Sequence, residues 1–140
     1  YVSTDGGVVP NVSRLLVFKL GGQATLPPAP ELNDLPIDPP PSRATTDVIA
    51  LGKRNFGQYC SVCHGDAAIG GTVIPDLRRS ATLGNRETWL AIVHDGLLSS
   101  NGMVGFSEVM TKDEIDAVRQ YVIARANEDR IVGDRAAAED

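Results

Sequence analysis

Cys60-Ser61-Val62-Cys63-His64 constrains this chain more than any other stretch. These are the only two cysteines in 140 residues, and a histidine follows the second directly. The spacing is the Cys-x-x-Cys-His pattern of covalent c-type haem attachment. Each thiol forms a thioether with a vinyl group, and the imidazole of His64 comes up beneath the porphyrin as an iron ligand. A chain bound in this way must fold around a large apolar disc whose attachment point is fixed. Other uses of paired cysteines fit less well. A thioredoxin-like redox pair needs a strand before it and a helix after it, whereas the residues ahead of Cys60 read as helix, and Gly65, Gly70 and Gly71 follow. A structural zinc site takes about four nitrogen or sulfur ligands, and outside the motif only His94 is available.

Iron held by His64 has a sixth position, for which Met103, Met110 and His94 are the candidates. Met103 sits in Gly102-Met103-Val104-Gly105-Phe106, after the turn-rich Gly96-Leu97-Leu98-Ser99-Ser100-Asn101, and a loop methionine can present its thioether from the open side. It is the preferred ligand. Met110 immediately precedes a helix start at Thr111 and reads as an apolar residue packing there. His94 falls at the end of a helical stretch with Trp89, Leu90 and Val93, where a cationic imidazole suits the helix dipole.

Four segments follow from composition. Residues 1–26 carry Asp5-Gly6-Gly7 as a turn and the apolar run Val12 to Leu20, and read as the closing strands of a preceding β domain. Seven of the nine prolines lie within residues 27–44, a proline-rich linker that excludes helix and central strand. Residues 45–130 are mainly helical. A first helix is expected from Thr46-Asp47 to about Tyr59, with Val48, Leu51 and Phe56 on its apolar face and Ala50 and Gly52 as small packing residues. A second should start after the N-cap Asn85 and stop by Gly96, and a last helix should open with the capping box Thr111-x-x-Glu114. Residues 131–140 read as a polar tail. The first residue is Tyr1, which suggests a piece of a longer chain.

The net charge of −5 lies mostly outside residues 42–130, which hold ten basic residues against eleven acidic ones. That balance argues against nucleic acid, which calls for a basic face. No run of about 18 apolar residues exists to span a membrane. The aromatic share is only 5%, so a buried prosthetic group would help fill the core.

From about Thr45 to Ala126 the chain resembles a class I-type monohaem cytochrome c. Gly52 and Phe56 are similar to the small and aromatic residues where that family's first helix crosses its last, with Tyr121 as the aromatic partner. Ile74-Pro75-Asp76-Leu77 resembles the loop whose proline carbonyl accepts a hydrogen bond from the proximal histidine, and Gly102-Met103-x-x-Phe106 resembles the axial methionine loop. Val104 departs from the proline that many relatives carry and leaves the loop less rigid. The resemblance implies a mainly α fold with three main helices around one haem c, bound through Cys60, Cys63, His64, Met103 and Pro75. Arg78, which follows Pro75-Asp76-Leu77, is expected near the haem rim as a propionate partner.

The order of β segment, proline linker and monohaem domain resembles the C-terminal end of a quinohaemoprotein alcohol dehydrogenase. In that family a β-propeller holds pyrroloquinoline quinone (PQQ) and calcium and oxidises alcohols, and the fused cytochrome accepts the electrons. The resemblance implies electron transfer from a PQQ dehydrogenase domain to an external redox protein or quinone, in the periplasm. It implies no catalytic residue and no alcohol oxidation in this chain alone. Alternatives are a free-standing cytochrome c shuttle, and a haem sensor or peroxidase-like protein with an open iron site.

Overall fold

The structure, a computed structural model, describes residues 17–25, 36–70 and 74–138. Four α-helices organise them: α1 (Thr46–Tyr59), the single turn α2 (Ser61–His64), α3 (Arg86–Val93) and α4 (Lys112–Ala138). Short 3-10 turns fill the connections, and no strand forms among the described residues.

α1, α3 and α4 each begin where the sequence supplies a cap. The Thr45 hydroxyl accepts from Val48 N–H, and Asn85 Oδ1 accepts from Thr88 N–H at 3.0 Å. At α4 the box is reciprocal: Thr111 N–H donates to Glu114 Oε2 at 2.8 Å, and Glu114 N–H donates to Thr111 Oγ1 at 3.3 Å. The buried stripe of α1 runs through Ile49, Gly52 and Phe56, one helical face at steps of three and four. Val48, expected on the apolar face, and Ala50, expected as a small packing residue, are exposed, and Leu51 is half-buried. The bulk of Phe56 and the crossing at Gly52 fix the rotation of the helix, and Val48 falls just off the contact.

α1 crosses α4 at Gly52. A Cβ placed there would lie 1.9 Å from Ala117 O and 2.9 Å from Tyr121 Cβ, so only glycine allows this approach. One turn on, the rings of Phe56 and Tyr121 meet with centroids 5.3 Å apart and planes tilted by 53°, a favourable edge-biased contact. Phe56, Leu83, Ile115, Val118 and Val122 are the largest fully buried side chains. Trp89 of α3 joins this core, and its indole N–H donates to Ile115 O at 3.1 Å, which satisfies a polar group that burial would otherwise strand.

Flanking the core, three of the expected segments are described only in part. α4 continues past Asn127 as helix to Ala138, through most of the expected polar tail 131–140. Alanines such as Ala136–Ala138 favour helix on propensity alone. Residues 1–16 of the expected β segment lie outside the described residues. Of the run Val12 to Leu20, Val17–Leu20 is irregular and then turns, with Val17, Phe18 and Leu20 exposed, because no described residue offers a strand for pairing. Residue 26 of that segment and residues 27–35 of the linker also lie outside the described residues. Its last part docks: Pro39 is buried, and Asn127 Nδ2 donates to Pro40 O at 2.9 Å and to Ile123 O at 2.8 Å.

Candidate haem site

Cys60 closes α1 and opens α2. Its carbonyl accepts from Cys63 N–H at 3.2 Å and from His64 N–H at 2.9 Å, so one tight turn carries all three residues. Both cysteines are free thiols. Cys60 is buried, and burial, assisted by Cys63, pushes its pKa up to about 11. Cys63 and the neighbouring Val62 are exposed.

His64 is buried, and its Nδ1 lies 3.4 Å from Pro75 O. A carbonyl only accepts, so Nδ1 carries the proton and Nε2 keeps a free lone pair. Burial holds the His64 pKa below the usual histidine value, against the opposing effect of the Pro75 carbonyl. The ring is therefore neutral, which is the ligand form. Between them the chain passes through Ala67 and Ala68 in left-handed backbone, with φ of 58° and 65°, a strained conformation that no sequence signal announced.

The loop bearing Met103 hangs from two anchors. Phe106 N–H donates to Val93 O at 2.9 Å, and the Phe106 ring meets Tyr59 edge-on with centroids 6.2 Å apart. Tyr59 immediately precedes Cys60, so the loop is held beside the attachment turn. Met103 is half-buried against the core, whereas Met110 is buried within it. His94 caps the C-terminus of α3, with Nδ1 at 2.5 Å from Asp95 Oδ1.

Arg78 is buried and bonded to two carboxylates. Nε and Nη2 reach Asp76 at 2.9 and 2.5 Å, and Nη1 reaches Asp129 at 2.9 Å. Burial alone would lower its pKa, but the two carboxylates outweigh that and raise it. Sequence reasoning missed Asp129, which stands 51 residues away and carries no motif. A separate cleft of 610 Å³ opens between α1 and α4 beside Phe56 and Tyr121, and none of Cys60, Cys63, His64 and Met103 lines it.

The family model for cytochrome C oxidase, cbb3-type, subunit III matches residues 47–122. The chain belongs to that family. It is also 41% identical over 128 residues to quinohemoprotein alcohol dehydrogenase ADH IIB of Pseudomonas putida, covering 91% of this chain and 18% of that protein. The dehydrogenase subunit of an alcohol dehydrogenase (quinone) from Gluconobacter oxydans (strain 621H) is 39% identical, with 91% and 17% covered. The solved structure of quinohemoprotein alcohol dehydrogenase ADHIIG from Pseudomonas putida HK5 superposes with a TM-score of 0.62 at 38% identity, over 79% of this chain and 16% of that one. The cytochrome thus spans less than a fifth of the length of these relatives, as expected for their cytochrome c portion.

The cofactor of this cytochrome is haem c, and its residues fit that group. Two free thiols on one turn match two vinyl groups, and the neutral His64 presents one unprotonated nitrogen. The adjoining loop leaves Leu97 and Val104 64% and 57% exposed, apolar surface of the kind a porphyrin covers.

Proposed function

We propose that this cytochrome carries electrons, one at a time, from a PQQ- and calcium-dependent alcohol dehydrogenase domain of its parent chain to an external redox protein or quinone in the periplasm. The observation that carries the reading is the pairing of His64 Nδ1 with Pro75 O, which fixes the tautomer and leaves Nε2 for iron. Haem c, when bound, supplies a single iron that alternates between ferrous and ferric states. Cys60 and Cys63, on one turn with His64, would hold it covalently. Met103 would supply a thioether to the iron, a ligand type that favours the ferrous state and raises the potential. Met110 is committed to the core and His94 to Asp95, which supports Met103 for this role. Arg78 has N–H groups beyond the three bonded to Asp76 and Asp129, and these serve a propionate. α1, α3 and α4 correspond to the three main helices of the class I arrangement.

The test mixes the haem-loaded cytochrome with a separately purified PQQ dehydrogenase domain of the related enzymes and a primary alcohol. Reduction of the haem that requires both dehydrogenase and alcohol is the expected result. Reduction by dithionite but not by the dehydrogenase would favour a free-standing shuttle. Recovery of the haem-loaded protein from the cytoplasmic fraction alone would refute the periplasmic location.

A further inference from the structure

Pro75 O stands at the end of a chain of contacts that reaches the far part of α4. His64 Nδ1 approaches it at 3.4 Å. Gly70 backs it from another side: a Cβ there would lie 2.4 Å from Pro75 O and 2.5 Å from Ile74 O. The next residue, Asp76, caps the turn Leu77–Arg79 by accepting from Arg78 N–H at 3.1 Å. Both its carboxylate oxygens are taken by the Arg78 guanidinium, which passes on to Asp129 at 2.9 Å. Arg125 holds Asp129 from its own helix through both oxygens, each at 2.9 Å. The Arg78 side chain is 6% exposed and those of Asp76 and Asp129 are 17% and 24% exposed, so water screens these pairs weakly.

Burying such charges gives little net stability, since apolar packing of the same volume does as well. What the forked guanidinium adds is fixed geometry. The place where that geometry matters is the peptide between Pro75 and Asp76. A hydrogen bond of 3.4 Å is near the long limit, so a shift of a few tenths of an ångström in the Pro75 carbonyl would break it.

We propose that Asp129 and Arg78 are positioning residues for His64. Their ion pairs hold Asp76, and through it the Pro75 carbonyl, against the ring of the iron ligand. The turn of α4 that carries Arg125 and Asp129 thereby sets how much electron density the imidazole would lend the iron. The proposal rests on the haem reading above.

The test compares the haem-loaded wild type with Asp129→Asn, Arg78→Lys and Glu128→Gln. Two quantities are read: the exchange rate of the His64 Nδ1 proton in the ferrous protein by NMR, and the reduction potential. Asp129→Asn and Arg78→Lys should each accelerate exchange about tenfold, in line with the loss of one supporting hydrogen bond, and raise the potential. Arg78→Lys leaves the net charge unchanged, and the His64 Nδ1 exchange rate separates a loosened Pro75 contact from a changed propionate contact, which would move the potential alone. Glu128→Gln removes the same charge as Asp129→Asn, one residue away and bonded only toward Arg125, and should change neither quantity. Wild-type exchange in both positioning variants, or equal changes in Glu128→Gln, would overturn the proposal. Should Asp129→Asn fail to fold, Arg78→Lys decides alone by the same criterion. A wild type without covalent haem would instead refute the haem reading, and this proposal with it.

Discussion

Replacing Gly52 with alanine puts a methyl group where the backbone of α4 already lies. The new Cβ would sit 1.9 Å from Ala117 O, and real Cβ contacts essentially never fall under 3.0 Å. The helices must therefore part by about 1.1 Å at their crossing. No side-chain rotation relieves this, because the obstacle is main chain. Overpacking of a tight core costs about 3 kcal/mol at the upper end of its usual range. Alanine returns about 1 kcal/mol through its better helix propensity. The net loss of about 2 kcal/mol corresponds to a fall in melting temperature of about 8–16 °C for a domain of this size. Gly57 is the internal control: it lies on the same helix, and a Cβ there meets nothing within 4 Å. Gly57→Ala should raise the melting temperature by a few degrees on propensity alone. Thermal unfolding of the two haem-loaded variants, followed by circular dichroism, gives both values. Equal melting temperatures for Gly52→Ala and Gly57→Ala would refute the steric reasoning.

Met103→Ala should abolish the ferric absorption band at roughly 700 nm and lower the potential, whereas Met110→Leu should do neither; the reverse pattern would move the ligand role to Met110. Glu114 is held below its ordinary pKa by the Thr111 backbone N–H and then by the Thr111 hydroxyl. Its contribution to stability is therefore present above the unfolded carboxylate value of about 4.3 and is lost as pH falls through the lower folded value. Glu114→Gln should accordingly be destabilising at neutral pH and neutral in acid, and a difference constant across that range would contradict the capping box. Deleting residues 1–41 should lower the melting temperature by a few degrees more than deleting residues 1–35, since the Pro40–Asn127 bond alone is worth about 1 kcal/mol; identical melting curves for the two would show that this contact carries no stability.

Local chemistry was legible in the sequence. Asn85, Thr111 and Glu114 announce helix starts because a cap is made within three residues of itself. Gly52 and Tyr121 marked the helix crossing through the family resemblance. The attachment turn could be read because its ligands are neighbours in the chain. What stayed hidden depends on distant partners. The pairing of Arg78 with Asp129 spans 51 residues, and that of Asn127 with Pro40 spans 87. Neither partner belongs to a motif, and a charged residue or an asparagine on a helix reads equally well as solvated. The rotation of α1 was off by one position because Val48 and Ile49 are equally apolar, and only the packing of Phe56 decides which faces inward.

The hydrogen bond from Asn127 to Pro40 also acts as a mooring. Free along its whole length, the eighteen-residue segment 27–44 could reach up to about 65 Å, at no more than about 3.6 Å per residue. With Pro39 buried and Pro40 fastened to α4, twelve linker residues, 27–38, lie upstream of the mooring, and their contour cannot exceed about 43 Å at about 3.6 Å per residue. Since the volume open to a leashed body scales as the cube of its leash, that one fastening shrinks the most territory the linker's length allows about threefold. A single asparagine amide near the end of the core thus governs how far the cytochrome can stray from whatever precedes residue 27.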